Sequence, residues 1–230
     1  MPPTATRSSG SSQPSTRPLR ADAERNRRRI LDAAGELFAE LGLDATLNDV
    51  ARRASVGVGT VYRRFPDKEL LIDALFEERL AALTAVVSAG LHDSDSWQGL
   101  VGALSGALEL QEADRGLKEL LLSSDRGSER VIAMRDRVAP IVGELVGRAR
   151  ASGALRADVE QQDFPLIQIM LGAVIDCSRE AAPGLWRRYL AILLQGLRAN
   201  PDVPASLPVP VPAGEQMDRV MSSWRPPRRA

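Results

Sequence analysis

The chain has 230 residues, enough for one large domain or two small ones, and its 44% hydrophobic content is ordinary for a globular protein. One cysteine, Cys177, excludes an internal disulfide, and with one histidine, His92, it leaves no His/Cys set for a metal, so neither metal nor cofactor is expected. Net charge is zero but unevenly placed: residues 1–68 carry 12 Lys and Arg against 8 Asp and Glu, and the remainder 18 against 22, a sign of a polyanion site at the front of the chain.

Residues 1–20 are rich in Ser, Pro, Thr and Gly, lack periodicity and read as a disordered extension. The first helix is expected over 22–41, where Ile30, Ala33, Ala34, Leu37, Phe38 and Leu41 form one stripe and Gly42 supplies the cap. Arg25, Arg27, Arg28 and Arg29 crowd its first turns, either as phosphate contacts or as a solvated face.

The stretch Thr46–Lys68 reads as two short helices and a tight turn. Thr46 and Asp49 have capping-box spacing, and Leu47, Val50, Ala51 and Ala54 make one apolar face. Ser55-Val56-Gly57 breaks the pattern. Val58, Val61, Tyr62 and Phe65 repeat it, and Pro66 stops the second helix. Gly59, Thr60, Arg63 and Arg64 lie on the opposite face. Small residues in front with arginines behind suit a helix that enters a major groove and grips the adjacent phosphates.

The run Ala51-x-x-Ala54-x-Val56-x-x-Gly59-x-x-Tyr62-x-x-Phe65-x-x-Lys68, with RRRILDAAGELFAELGLDA upstream, resembles the helix-turn-helix of TetR-family bacterial transcriptional regulators over residues 25–85. The resemblance implies that the second short helix is the recognition helix. Gly57, Val58, Gly59 and Thr60 would then approach base edges, and Tyr62, Arg63, Arg64 and Lys68 would hold phosphates, with Arg29 and Thr46 as further DNA-binding residues. The chain departs from the family at two positions: Ser55 stands where Gly is frequent, and Gly57 where Ser is. Gly57 can still cap the helix, whereas Ser55 is expected in a strained turn conformation.

Further along, Asp67 can cap a helix from 68 to 91 that would be about 35 Å long. Helices are expected near 95–112, 114–123 and 127–151, then as a pair over 162–178 and 183–198. The pair is apolar on more than one side, which points to an isologous homodimer through Ile167, Leu171, Val174, Trp186, Tyr189, Leu190, Leu193 and Leu197. Residues 200–230 are Pro-rich and read as a tail dispensable for folding, with Trp224 a candidate for docking on the body.

Catalysis is not expected, because His92 is the sole imidazole and sits in a Ser/Asp loop, and no nucleotide or nucleophile motif is present. Polar groups for a small-molecule pocket are Gln168, Asp176, Arg115 and Cys177, with Trp97, Met134 and Met170 as walls. No apolar run reaches about 18 residues and no apolar leader opens the chain, so a cytoplasmic protein without membrane contact is expected.

The expected fold is all-α: a helix-turn-helix domain over 21–67, then a helical ligand-binding and dimerisation domain over 68–199. The expected function is a regulator, a repressor freed from a palindromic double-stranded DNA operator by a small-molecule effector. The alternative is a helical small-molecule-binding or protein-interaction module without DNA binding.

Overall fold

The computed structural model describes residues 16–114, 127–200, 202, 206–212, 216–217 and 219–220. Within them the chain forms eight α-helices: α1 (Thr16–Leu41), α2 (Leu47–Arg53), α3 (Val58–Arg64), α4 (Lys68–Ala89), α5 (Ser96–Ala113), α6 (Gly127–Ala151), α7 (Asp163–Ser178) and α8 (Trp186–Leu197). Short 3₁₀ turns follow α1 and α4, and the sole β pairing among the described residues is an isolated bridge between Leu155 and Arg198. The helix expected over 114–123, and with it Arg115, lies outside the described residues, as does Trp224.

The apolar side chains form two cores. The first joins α1 to α4: Ile30, Leu31, Ala34, Phe38, Leu47, Val50, Val61 and Phe65 pack with Leu71, Ile72, Leu75 and Leu80. The second is built on α5, α6, α7 and α8, with Trp97, Leu104, Leu108, Leu145, Ile167, Leu171 and Trp186 at its centre. Two helices belong to both. α4 places Leu71 to Leu80 in the first core and Val87 in the second. α6 lays Met134 and Val138 against the first, while Val138 also packs on the second, which Leu145, Val146 and Ala149 enter fully. The small front domain is therefore tied to the rear one by two shared helices.

Local chemistry sets the helix ends. Asp67 Oδ1 accepts from Leu70 N at 2.8 Å and caps α4; Asp95 Oδ1 accepts from the N–H groups of Trp97 and Gln98 at 2.9 and 3.1 Å and caps α5. The 3₁₀ turn after α4 meets α5 so closely at Gly90 and Gly99 that a Cβ on Gly99 would stand 2.2 Å from the Gly90 carbonyl oxygen, so that crossing requires glycine. Pro140 stands inside α6 on its exposed side, and the carbonyl that loses its helical partner belongs to Asp136, itself an exposed residue.

Two expected helix starts move by three residues or more. α1 starts at Thr16, six residues early, so residues 16–20 are helical; Pro18 falls in the first turn, where its missing N–H has no helical partner to lose. α8 starts at Trp186 because Gly184 takes a φ of +79° and turns the chain first. The C-terminal tail is not free of the body. Met217 is buried, and the Asp158 carboxylate, which Arg156 holds at 2.9 and 2.7 Å, also feels the Leu207 backbone N–H.

Candidate nucleic-acid interface

α2 begins with the reciprocal cap read from the sequence. Thr46 Oγ1 accepts from Asp49 N at 3.2 Å, and Asp49 Oδ2 accepts from Thr46 N at 2.9 Å and from the Thr46 hydroxyl at 2.6 Å. The Thr46 hydroxyl, then its N–H, hold the Asp49 carboxyl below its ordinary pKa, with Arg52 adding to the effect. Thr46 thus has an established place in the cap, on the exposed surface at the start of α2.

α2 ends in a Schellman cap. Val56 N–H donates to Ala51 O at 3.0 Å and Ser55 N–H to Arg52 O at 3.2 Å, with Ser55 at φ +54°. Glycine is the usual residue there, and a side chain in that region costs about 1–2 kcal/mol. The strained conformation expected for Ser55 is the one observed. Arg29 reaches over from α1 and donates from Nη2 to Ala54 O at 2.7 Å and to Ser55 O at 3.3 Å. The structure therefore places Arg29 at the turn carbonyls.

Beyond the turn, Gly57 caps α3 with backbone alone. Val61 and Phe65 enter the core, so the rotation of α3 about its axis is set by packing. Its other side is open: Gly57, Val58, Gly59, Tyr62, Arg63 and Arg64 are exposed and Thr60 is half-buried. A Cβ added at Gly59 would meet nothing within 4 Å. Arg63 folds back along the helix, donating from Nε to Gly59 O at 3.1 Å and from Nη2 to Thr60 Oγ1 at 3.3 Å. Lys68, half-buried, sits with Nζ 5.9 Å from the centre of the Phe38 ring.

Arg53, which drew no attention in the sequence, fixes α2 to α1. It is bidentate on Glu40 at 3.0 and 2.7 Å and also reaches Glu36 at 3.2 Å, which stabilises its charged form. The signal was legible: Glu36 and Glu40 are one turn apart and present two carboxylates to one cation. Of the arginines at the head of α1, Arg25 pairs with Asp22, Arg27 pairs with Glu78 at 3.5 Å, and Arg28 is exposed.

In the rear domain several expectations need correction. Ile167, Leu171, Trp186 and Leu190 were read as dimer contacts but are 6%, 1%, 1% and 4% exposed, spent on the subunit's own core. Val174, Leu193 and Leu197 are half-buried against that core, and Tyr189 is exposed. Period alone did not tell which of two apolar faces points inward. Met170, Asp176 and Cys177, read as pocket residues, lie on the exposed surface instead, with Asp176 4.0 Å from Arg179. Trp97 is buried in the second core under the Arg198 guanidinium, and Met134 is half-buried at the seam with the first core. Gln168 is half-buried, and its Oε1 is out of solvent with no hydrogen-bond partner among the described residues.

Residues 30–75 match the family described as bacterial regulatory proteins, tetR family, and residues 95–199 match the SbtR-like transcriptional regulator C-terminal domain. The HTH-type transcriptional regulator SrpR of Pseudomonas putida is 30% identical over 148 residues, spanning 62% of this chain and 69% of its own. The HTH-type transcriptional repressor KstR of Mycobacterium tuberculosis is 34% identical over 145 residues, or 59% and 63% of the two chains. A TetR transcription regulatory protein from Mycobacterium vanbaalenii, known from its crystal structure, superposes with a TM-score of 0.54 at 26% identity, covering 79% of this chain and 100% of that one. With the helix-turn-helix geometry and these matches together, the chain belongs to the TetR family and is a helix-turn-helix DNA-binding transcriptional regulator.

Proposed function

We propose that the protein is a cytoplasmic homodimeric repressor that holds a near-palindromic operator through α3 and releases it when a small molecule occupies the rear domain. The observation that carries the reading is the bare front of α3. Glycine in a helix is less favourable than alanine by about 1 kcal/mol, and the protein itself leaves room for a side chain at Gly59. A surface that must let another molecule approach the backbone accounts for that cost. Thr60 and Val58 are then positioned for base edges, and Tyr62, Arg63, Arg64 and Lys68 for phosphates.

Dimerisation is supported by the apolar face that the subunit leaves uncovered. Met170, Ala173 and Cys177 on α7 are exposed, as are Tyr189, Ile192 and Gly196 on α8, at helical spacing on each. A second copy of the chain applied by a two-fold axis covers both helices at once. Two copies of α3 are also what operator length demands, since one short helix touches too few base pairs for useful specificity.

Effector control is supported by the shared helices and by the unpaired Gln168 acceptor, which a ligand donor would satisfy. An effector must bind the DNA-free state better, and about 1–3 kcal/mol of coupling suffices. The repressor sense is supported by the similarity to KstR of Mycobacterium tuberculosis, a transcriptional repressor by name.

The test uses DNA affinity measured across a salt series. Arg64→Ala is expected to weaken all duplexes alike and to lower the slope of log affinity against log salt by about 0.9. Thr60→Ala is expected to change sequence preference at an unchanged slope. Wild-type affinity and slope in both variants would defeat the assignment of α3.

A further inference from the structure

We infer that Arg29 is a positioning residue of the DNA reader, whose guanidinium clamps the left-handed Ser55 cap and so fixes how α3 is carried on α2. Three observations meet at this point. Ser55 is the sole non-glycine residue at positive φ among those described, and it stands at the C-terminal cap of α2, two residues before the Gly57 that starts α3. The cap satisfies the carbonyls of Ala51 and Arg52 through the Val56 and Ser55 N–H groups. Past Arg53, the carbonyls of Ala54 and Ser55 are the two that Arg29 Nη2 takes, at 2.7 and 3.3 Å.

The chemistry matches the residue types. The end of a helix carries partial negative charge and unsatisfied carbonyls, and a cation there is stabilising. Both bonds come from one nitrogen, whose two N–H groups are fixed in the rigid guanidinium plane and aim at successive carbonyls; a lysine ammonium is a freely rotating point donor on a flexible stem. A serine at left-handed φ tends to relax toward negative φ, and glycine does not. If Ser55 relaxed, the chain direction entering Gly57 would change and α3 would turn relative to α2. Arg29 and Ser55 are thus a compensating pair: the clamp is needed because the cap residue is not glycine.

The inference takes α3 as the element that reads DNA, and its test has one arm that does not depend on that. Full-length wild type, Arg29→Ala, Arg29→Lys, Ser55→Gly and the two double variants are compared by thermal unfolding. They are also titrated with a duplex that the wild type selects from a random-sequence pool, from about 50 to 200 mM salt. The clamp predicts that Arg29→Ala and Arg29→Lys each weaken the duplex about tenfold while the salt slope stays at the wild-type value, and that adding Ser55→Gly returns affinity to within about threefold. It also predicts that Ser55→Gly raises the melting midpoint of either Arg29 variant more than that of the wild type. If Arg29→Ala does not fold, Arg29→Lys and its double variant carry the same comparison. Wild-type affinity in Arg29→Lys, with a slope lowered by about 0.9 in Arg29→Ala, would make Arg29 a phosphate contact and overturn the clamp. Equal gains in midpoint from Ser55→Gly in all backgrounds would overturn it too. If the wild type selects no duplex, the DNA role of α3 fails, and the melting comparison still decides the clamp.

Discussion

Arg130 on α6 donates from Nη2 to the Asp73 carboxylate on α4 at 2.7 Å, and the same nitrogen lies 3.1 Å from Glu69 one turn earlier. The arginine is 4% exposed while the two carboxylates are about a third and a half exposed, so one buried cation holds two rehydratable anions. This pair closes the seam between the rear domain and the helix that follows the DNA reader. Removing a buried partner can cost about 3–5 kcal/mol, but here the anions left behind return to water, so about 1–2 kcal/mol is expected. Arg130→Ala should therefore lower the melting midpoint by about 2–8 °C, given about 2–4 °C per kcal/mol at this chain length. An unchanged midpoint would show that the seam is held without Arg130, by Met134, Val138 and the Arg137–Glu77 ion pair.

Gly59→Ala should separate folding from function. It should leave the melting midpoint unchanged or raise it, by up to about 1 kcal/mol, because the added methyl meets nothing inside the protein. Duplex affinity should fall by tenfold or more, about 1.4 kcal/mol, because the methyl stands where the groove must come. Unfolding and fluorescence anisotropy on one preparation test both halves. Undiminished affinity would remove the reason offered for this glycine.

Much of this architecture is legible in the sequence, and the limits are physical. The Thr46–Asp49 cap, the Ser55 turn and the Gly42 terminator are local, and each depends on residues within one turn of chain. The same holds for the first-core stripe from Ile30 to Phe38, whose period is clean because its other face is charged, whereas Leu41, expected to continue it, is exposed. Period fails for α7, where apolar residues run nearly all round the helix. There Ile167 and Leu171 face inward and Met170 faces out, and α5, the neighbour that decides this, is remote in sequence. Arg29 is a similar case. Its charge is visible, but its partners are two backbone carbonyls 25 and 26 residues away, which carry no side-chain signature.

The tail offers a pH-dependent contact. The Arg156 guanidinium beside Asp158, more than the Leu207 N–H, keeps that carboxyl below its ordinary pKa. A depressed carboxylate contributes stability that is present in full above its unfolded pKa, about 3.9, and is lost as pH falls through the lower folded value. The wild type and Asp158→Asn should thus differ by a constant melting shift from pH 5 to 8 and converge as pH falls through the lowered folded value. Met217→Asp should lower the midpoint at all these pH values, since it puts a charge at a buried position. A Met217→Asp variant as stable as the wild type would return the tail to being a dispensable extension.

The uncovered face of α7 and α8 predicts the assembly. Tyr189→Glu combined with Ile192→Glu changes residues that the subunit does not bury, so the variant should fold and sediment as a monomer with weakened operator binding. The earlier-named Leu171 and Leu190 differ: charging them should unfold the chain, because both are core. A Tyr189/Ile192 variant that remains dimeric by sedimentation would place the interface elsewhere.

The central claim is that two copies of α3 read DNA together, and selection of duplexes from a random-sequence pool by the full-length protein tests it most directly. The account predicts enrichment of an inverted repeat whose half-sites are centred about one helical turn apart or a multiple of it, about 34–36 Å per turn, on the same side of the duplex. Arg64→Ala should weaken that duplex in proportion to its weakening of unselected DNA. Enrichment of a single half-site without a repeat, or of no sequence at all after successive rounds, would contradict it.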